Sequence, residues 1–571
     1  MSFNKRIDQL KMHLTRNRFS LQEVKSRPRT LILLIVTSYL FAIAVRYLWA
    51  MQYRGQPELF WNGYLMLNTT DGYHWAEITH ELLTNGYQWV KFKALPSLTA
   101  LTVDICSCPL EAVMQYLPVF FGSLIVVPLV LIGHALRQSS IGFIAALYAA
   151  IAWSYFNRTL PGYFDTDMLN VVFPMFIVWG CIDWLLRKRI YLALLVPILF
   201  AGYGLWYPSS ASLNSAILLT LLLYTLIFDR RSLPNYKFPA LCALAAMGLP
   251  LWWKLNGILL LWWFYFGRYS QLPARMVLGV SWLVILLWIG LDFAEPIMSM
   301  IGRYGFHTES IPDTLSNISN NVTALDMTLE AQRIPLQDIG LRVSGHIALF
   351  FVGGAGYLLL LFRFPVMIVS LPMVALGVSA YFTGLRFTIY AVPPFALGMA
   401  FLIELSGRIF SRLKIPGFRK YVYPILIISC TGLVMYPNLN HALTYAVETV
   451  IERDEVEALD RLKEISSEED FVLTWWDFGY PTKYYANRRT LVDGGHNRFD
   501  QLFPVGYVLT SENQAAAANM ARLSVDDAFQ KERPSIRRII NKYGYSEFPT
   551  FLSELENLSQ PSIESKSGIY I

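Results

Sequence analysis

Four acidic residues lie in polar stretches between apolar runs and could supply carboxylate ligands. Asp71 lies in "TTDGYHWAE", and Glu330 lies in "MTLEAQRI". Between them, Asp165 and Asp167 form an Asp-x-Asp pair in "NRTLPGYFDTDMLN". Hard divalent cations such as Mg²⁺ and Mn²⁺ prefer carboxylate oxygens. Taken singly, Asp167 could cap the following helix, and Asp71 and Glu330 could be solvated loop acids.

A second group of residues with chemical potential lies near the end of the chain, in "TWWDFGYPTKYY" at 474–485. Trp475 and Trp476 could be interfacial anchors or part of a packed core, and Asp477 an ordinary loop acid. Alternatively the cluster binds a partner, because an indole N–H donates a hydrogen bond and a carboxylate accepts one. The stretch alone leaves both interpretations open.

The composition decides which elements must position these groups. The chain is 54% hydrophobic and only 15% charged, whereas soluble proteins are about a quarter charged. A polytopic helical membrane protein is therefore predicted. Apolar runs of roughly 17 to 25 residues suit single spans, and about thirteen occur, near 30–50, 112–136, 139–157, 168–186, 190–207, 210–228, 238–254, 257–270, 276–292, 346–362, 365–383, 387–405 and 421–436.

Loop charges predict the topology. The segment 1–29 carries eight lysines and arginines, which places it in the cytoplasm, and every second loop after it is also basic. The net charge of +6 follows from this bias and requires no nucleic-acid partner. The transmembrane domain is predicted over 30–436, with long outer loops at 51–111 and 293–345. The tail 437–571 and all four acids then share the outer side of the membrane, which favours a joint site.

The motifs now resemble a known family. "DGYHWAE", "NRTLPGYFDTDML", "WYPSS" (206–210), "LRVSG" (341–345), "GLRFTIYAVP" (384–393), "WWDFGYP", "LVDGG" (491–495) and "QAAAANMARLSV" are similar to catalytic subunits of oligosaccharyltransferase, and most closely to single-subunit bacterial enzymes of the Campylobacter type. The resemblance implies a GT-C-type glycosyltransferase with about thirteen transmembrane helices and a mixed α/β periplasmic domain. It also implies a bacterial inner-membrane location and action as a single subunit.

The resemblance implies the substrates as well. A polyprenyl-diphosphate-linked oligosaccharide in the membrane lipid would donate its glycan to the Asn side chain of Asn-x-Ser/Thr in acceptor polypeptides. Asp71 and Glu330 would hold the acceptor amide, and Arg158 would brace the acids. The metal, Mn²⁺ or Mg²⁺, would bind the four acids, which are Asp71, Asp165, Asp167 and Glu330.

Other roles also follow from the resemblance. Arg386 would bind the donor diphosphate with help from Tyr207, although an arginine at a span end could merely reach the interface. Trp475, Trp476 and Asp477 would bind the Ser/Thr hydroxyl. Arg342 would favour an acid two residues before the acceptor Asn. The supporting residues would be Phe478, Gly479, Tyr480 and His496.

Some features depart from the family pattern. The residues before Glu330 read Met327-Thr328-Leu329 where the family has Thr-Ile-x, and the stretch after "LVDGG" is one residue shorter, which bears on His496. The final "SKSGIYI" reads like the start of a strand, so the outer domain is expected to be shortened at its C-terminus.

Two alternative functions stay open. Another polyprenyl-phosphate-dependent glycosyltransferase would not need WWDxG, and a transporter would carry charges at mid-membrane.

Overall fold

The computed structural model describes residues 27–86, 92–229, 233–267, 273–304, 333–410, 419–531, 533–544, 548–556 and 567–571. A short antiparallel hairpin pairs β1 (Phe60–Trp61) with β2 (Tyr64–Leu65). The helices from the first to the last span are α1 (Pro28–Met51), α2 (Thr70–Asn85), α3 (Ala94–Cys106), α4 (Leu110–Ser123), α5 (Val126–Ala135), α6 (Ser139–Ile151), α7 (Trp153–Asn157), α8 (Asp167–Asn170), α9 (Val172–Arg187), α10 (Leu192–Trp206), α11 (Ala211–Phe228), α12 (Leu233–Ala246), α13 (Leu251–Phe266), α14 (Ala274–Trp288), α15 (Ala294–Tyr304), α16 (Leu336–Ser344), α17 (Ile347–Arg363), α18 (Leu371–Val378), α19 (Ala380–Thr383), α20 (Thr388–Phe410) and α21 (Arg419–Thr444).

The membrane character of the chain is confirmed. Within the described ranges, eight helical stretches are long and apolar enough to cross a membrane, or nine if α16 and α17, bent by 73° at their junction, form one span. Eight of the thirteen predicted segments fall on these long stretches. The other five fall on α6, α10, α12, α13 and α17, which are 13 to 17 residues long.

The expectation that Asp71 is a loop acid is wrong. The outer region 51–111 contains the helices α2 and α3, and Asp71 lies in the first turn of α2. The helix forms because buried residues recur at helical spacing: the apolar Tyr73, Ala76 and Leu82 and the polar Thr79 lie on one buried face. The outer region is therefore a folded support for this acid.

The C-terminal lobe is a small α/β unit, as predicted. Its strands β3 (Phe471–Val472), β4 (Arg489–Thr490) and β5 (Ile569–Tyr570) form a parallel sheet in the order β4-β3-β5. The strand expected at "SKSGIYI" is thus present. The lobe has its own hydrophobic core. Its helices are α22 (Arg453–Ile465), α23 (Trp476–Ala486), α24 (Phe499–Thr510), α25 (Gln514–Lys531), α26 (Ile536–Lys542) and α27 (Phe548–Glu554).

The lobe packs against α2 of the membrane domain. The ring of Tyr73 contacts the rings of Tyr484 and Tyr485 on α23, with centroids 5.8 and 5.6 Å apart. The chain leading into the lobe is held as well, because Val450 donates its backbone N–H to the Leu67 carbonyl at 3.0 Å. The helix that bears Asp71 and the helix that begins with the tryptophan pair are therefore packed together.

Candidate active site

The Asp-x-Asp loop is held by two tryptophans from different layers. Trp75 of α2 donates its indole N–H to Asp165 Oδ1 at 3.0 Å, and Trp206 of α10 donates to the Thr166 carbonyl at 2.8 Å. The Thr166 backbone N–H also donates to Asp165 Oδ1, at 2.6 Å. The two helices α2 and α10 together therefore fix the position of this loop.

Asp167 is buried and forms an ion pair with the buried Arg158. Its second oxygen accepts a hydrogen bond from the Asn170 amide at 2.9 Å. The helix-cap interpretation of Asp167 is wrong by one position, since Thr166 precedes α8 and Asp167 is its first residue. Arg158 therefore neutralises one acid of the pair directly.

Asp71 and Asp165 lie close enough to influence each other. The pKa of Asp165 is raised to about 7, mainly by burial and further by the charges of Asp167 and Asp71. Glu330 lies outside the described residues. Within the described ranges, no three His, Cys, Asp or Glu side chains converge as a metal-binding group. The acids present are nevertheless of the kind that a hard divalent cation prefers, and their mutual repulsion is what such a cation relieves.

The tryptophan pair and Asp477 mark the start of α23. Trp475 precedes the helix with an extended backbone, and Trp476 and Asp477 lie in its first turn. Both indoles are half-buried against the core of the lobe, and burial raises the pKa of Asp477. None of the three side chains forms a hydrogen bond with another residue in the described part of the chain. Phe478, the next residue, is more exposed, at 38%.

The loop Leu491–His496 is packed between α23 and α2. Gly479 of α23 has no room for a side chain, because an added Cβ would overlap the Val492 carbonyl oxygen. On the other side, a Cβ added to Gly494 would lie 3.3 Å from Asp71 Oδ1. Tyr480 contacts the same region, with its ring centroid 4.7 Å from that of His74 on α2. The loop therefore lies between the two groups of candidate residues.

Asp493 organises this loop and was missed by the sequence analysis. Its carboxylate accepts hydrogen bonds from Lys483 Nζ at 2.6 Å and from His496 Nδ1 at 2.7 Å. Burial alone would raise the pKa of Asp493, but the His496 and Lys483 hydrogen bonds hold it well below its usual range. The glycine pair after Asp493 in the quoted "LVDGG" was the available signal. His496 is accordingly oriented by Asp493, with its ring partly exposed.

The residues expected to bind the donor diphosphate lie together near the start of α20. Arg386 lies in the short turn Leu385–Phe387 at the start of α20, and its Nη2 donates to the Tyr207 hydroxyl at 3.4 Å. Beside them is a cavity of about 400 Å³ lined by tyrosines and serines, among them Tyr203, Ser209 and Tyr390. The structure thus brings Arg386 and Tyr207 together at an open volume.

Arg342 lies at a different edge of the site. It occupies the last turn of α16, and its guanidinium lies over the Trp153 ring, 5.6 Å from the centroid. Arg342 and Arg158 both line a cavity of about 130 Å³. A cation held on an aromatic face keeps its charge while its position is fixed.

Comparisons with known proteins agree with these motifs. The sequence model described as "Oligosaccharyl transferase STT3, N-terminal" matches residues 72–442, and the model "STT3/PglB/AglB core domain" matches residues 468–571. The chain belongs to the STT3 oligosaccharyltransferase family. This STT3-family chain is a membrane glycosyltransferase of protein N-glycosylation.

Individual relatives support the assignment. The undecaprenyl-diphosphooligosaccharide–protein glycotransferase of Campylobacter jejuni is 33% identical over 502 residues, which cover 86% of this chain and 69% of the relative. The archaeal oligosaccharyltransferase AglB from Archaeoglobus fulgidus, solved with an inhibitory peptide and a dolichol-phosphate, has a TM-score of 0.61 at 17% identity, covering 86% of this chain and 68% of that one. The same archaeal enzyme tethered to an acceptor peptide with an NVT sequon gives 0.60 at 17% identity, covering 87% and 68%. The archaeal likenesses concern the fold.

Proposed function

We propose that this STT3-family chain transfers an oligosaccharide from a polyprenyl-diphosphate lipid to the side-chain amide of Asn in Asn-x-Ser/Thr sequons. The observation that carries the proposal is the packing of α2, which bears Asp71, against α23, which begins at the tryptophan pair. This arrangement places Asp71, which would bind the Asn amide, near the Trp475–Asp477 cluster, which would bind the Ser/Thr hydroxyl. The name of the Campylobacter jejuni relative, which specifies an undecaprenyl-diphosphate donor and a protein acceptor, supports the same reaction.

The acceptor amide is a poor nucleophile because its nitrogen lone pair is conjugated with the carbonyl. Asp71 and Glu330 are proposed to accept its two N–H bonds, which would twist the amide and free the lone pair. The nitrogen then attacks the anomeric carbon of the donor sugar, the bond to the diphosphate oxygen breaks, and one amide proton passes to a carboxylate. Arg158 is proposed to hold Asp167 in place through the ion pair described above.

The sequon hydroxyl is proposed to bind at the start of α23. Asp477 would accept a hydrogen bond from the hydroxyl, and a Trp475 or Trp476 N–H would donate to the hydroxyl oxygen. These groups make no other hydrogen bond within the described ranges, so a peptide without the hydroxyl would leave them unpaired. Such unpaired polar groups are how a site strongly rejects an analogue. Phe478, Gly479, Tyr480 and His496 would support this turn.

The donor diphosphate is proposed to bind Arg386 and Tyr207 beside the large cavity. A planar guanidinium matches the oxygens of a phosphate in pairs, and the cavity of about 400 Å³ opens next to it. The leaving group is anionic, so charge at this point would stabilise it as the sugar departs.

A divalent cation, Mn²⁺ or Mg²⁺, is proposed to bind the four acids Asp71, Asp165, Asp167 and Glu330. When bound, it would neutralise charge on the leaving diphosphate. The raised pKa of Asp165, caused by burial and neighbouring acids, supports a cation at this place. Arg158 and Asn170 also hold the Asp167 carboxylate in place.

The remaining proposals concern location and partners. The chain is a multi-span membrane protein. We infer that it lies in a bacterial inner membrane with residues 1–29 cytoplasmic, 30–436 transmembrane and 437–571 periplasmic, and that it acts as a single subunit. The last span in the structure, α21, continues to Thr444, so the lobe begins later than residue 437.

The proposal is tested by reconstituted transfer. Purified protein, a short-chain polyprenyl-diphosphate glycan and Mn²⁺ are incubated with a fluorescent peptide containing Asn-x-Thr. We expect a slower-migrating glycopeptide, and none with Gln in place of Asn or Ala in place of Thr. Transfer of the glycan to a lipid or free sugar, with none to the peptide, would contradict the proposal and favour another polyprenyl-dependent glycosyltransferase.

A further inference from the structure

Asp493 has the environment of a structural hub rather than of a loop acid. Its side chain is 1% exposed. Oδ2 contacts Lys483 Nζ at 2.6 Å and Arg533 Nη2 at 3.1 Å, while Oδ1 accepts hydrogen bonds from His496 Nδ1 at 2.7 Å and the Gly495 backbone N–H at 3.1 Å. These donors come from α23, from the segment before α26 and from the loop itself. One buried carboxylate therefore ties three parts of the lobe together.

The loop fixed by Asp493 separates the two halves of the acceptor site. On one side, an added Cβ at Gly479 would overlap the Val492 carbonyl and lie 2.8 Å from the Asp493 Cα. On the other side, a Cβ at Gly494 would lie 2.7 Å from the Tyr480 ring and 3.3 Å from Asp71 Oδ1. The loop backbone thus packs directly against the helix of the tryptophan pair and runs beside the carboxylate of Asp71, with no space for a side chain at Gly479 or Gly494.

The acceptor imposes a distance that this loop can set. In Asn-x-Ser/Thr the amide and the hydroxyl belong to residues two apart, so their Cα atoms are at most about 7 Å apart. An enzyme that binds both groups must hold its amide site and its hydroxyl site at a matching separation.

We propose that Asp493 is a positioning residue that sets the separation between the hydroxyl pocket at Trp475–Asp477 and the amide-holding Asp71. The inference rests on the proposed function, and it assigns the spacing requirement of the sequon to one ion-paired loop. Asp493 acts through Lys483, which lies on the same helix as Asp477, and through Gly494, which lies beside Asp71.

The expected signature is kinetic. A shift of about 1 Å at a reacting group can reduce the rate about a hundredfold, whereas each binding group remains intact. Asp493→Asn should therefore lower kcat for an Asn-x-Thr peptide at least about tenfold and change the peptide KM by less than about threefold. A purely structural defect would instead reduce the amount of folded enzyme and leave kcat per folded molecule unchanged.

Asp527 provides a matched control in the same lobe. It is 6% exposed and accepts hydrogen bonds from Arg538 Nη2 at 2.9 Å and from the Ser535 backbone N–H at 2.8 Å. Asp527→Asn removes a similar buried charge away from α2. We expect a lowered Tm in both variants, and a lowered kcat per folded molecule only in Asp493→Asn.

If Asp493→Asn does not fold, variants of Lys483 provide a second test. Lys483→Met should lower kcat in the same way, and Lys483→Arg, which retains the charge opposite Asp493, should restore most of it. The proposal is overturned if Asp493→Asn or Lys483→Met keeps kcat within about twofold of wild type, or if only the peptide KM changes. Wild-type transfer in the same experiment reports separately on the proposed function, since its absence would reject that function itself.

Discussion

At the scale of single residues, the acids have distinct surroundings. Asp71 is exposed at the start of α2, Asp165 is held by Trp75, and Asp167 is buried against Arg158. An acid that contacts a substrate must be reachable, and Asp71 meets this requirement better than Asp167. The substitution that tests the mechanism most directly is therefore at Asp71.

We predict that the double variant Asp71→Ala, Glu330→Ala lowers the transfer rate about a hundredfold or more, because the acceptor amide then remains conjugated. The measurement is single-turnover glycosylation of an Asn-x-Thr peptide. Glu58→Ala, which changes an exposed acid in the same outer region, is the control and should retain activity. Near wild-type transfer by the double variant, with intact folding, would refute the proposed role of these carboxylates.

Arg342 gives a prediction about acceptor choice. We expect peptides with Asp two residues before the acceptor Asn to react faster than peptides with Ala, and Arg342→Leu to remove this preference. An exposed ion pair contributes little, but one held in an enclosed site contributes more, so an effect of a few-fold to about tenfold is expected. Arg453→Leu, at an exposed pair with Glu457, is the control. Equal kcat/KM for both peptides with wild type would contradict the assignment.

At the scale of elements, α23 and the loop Leu491–His496 approach each other so closely that Gly479 has no room for a side chain. We predict that Gly479→Ala lowers the stability of the folded lobe by about 2 kcal/mol or more, because its methyl group would overlap backbone that cannot move aside easily. Gly506→Ala on α24 is the matched control, since its Cβ would meet the Trp475 ring at an ordinary 3.5 Å. Thermal unfolding followed by tryptophan fluorescence measures both. Equal Tm values would show that the loop accommodates the methyl group.

The contact between α2 and α23 should depend on pH through His74. Burial lowers the pKa of His74 to about 4, with smaller effects from Asp493 and Lys483. Because the unfolded residue titrates near 6.5, the unfolded state binds more protons between these values, and stability falls as the pH drops from about 6.5 to 4. His74→Phe, which keeps an aromatic ring against Tyr480, should remove a component on the order of 2 kcal/mol from this dependence. Parallel curves of Tm against pH for variant and wild type would contradict the prediction.

At the scale of the whole molecule, activity should require a divalent cation. Exhaustive EDTA treatment is expected to abolish transfer, and Mn²⁺ or Mg²⁺ should restore it, because only carboxylates are proposed as ligands. We expect the Tm to stay nearly unchanged on chelation, because the membrane spans remain intact. Full activity after chelation would argue against any metal role, and restoration by Zn²⁺ alone would indicate nitrogen or sulfur ligands.

The sequence by itself determined the membrane class and located the eight long helical spans, while the side of the membrane on which the candidate residues lie stays a prediction. Hydropathy and loop charge act over about twenty residues, so each span can be recognised without its neighbours. The tryptophan pair and the Asp-x-Asp motif were equally local signals. Loop 51–111 was the exception, since the periodic face of α2 lies within a polar stretch that the search for apolar runs passed over.

Only the tertiary structure decided how these groups meet. Trp75 contacts Asp165 and Arg158 contacts Asp167 from separate stretches of chain, and Gly494 comes close to Asp71 in the same way. No local pattern encodes such pairs, because they depend on which helices pack together and in which register. Asp493 illustrates the point: in sequence it is one acid before two glycines, and its importance comes from the Lys483 and Arg533 side chains that folding brings to it.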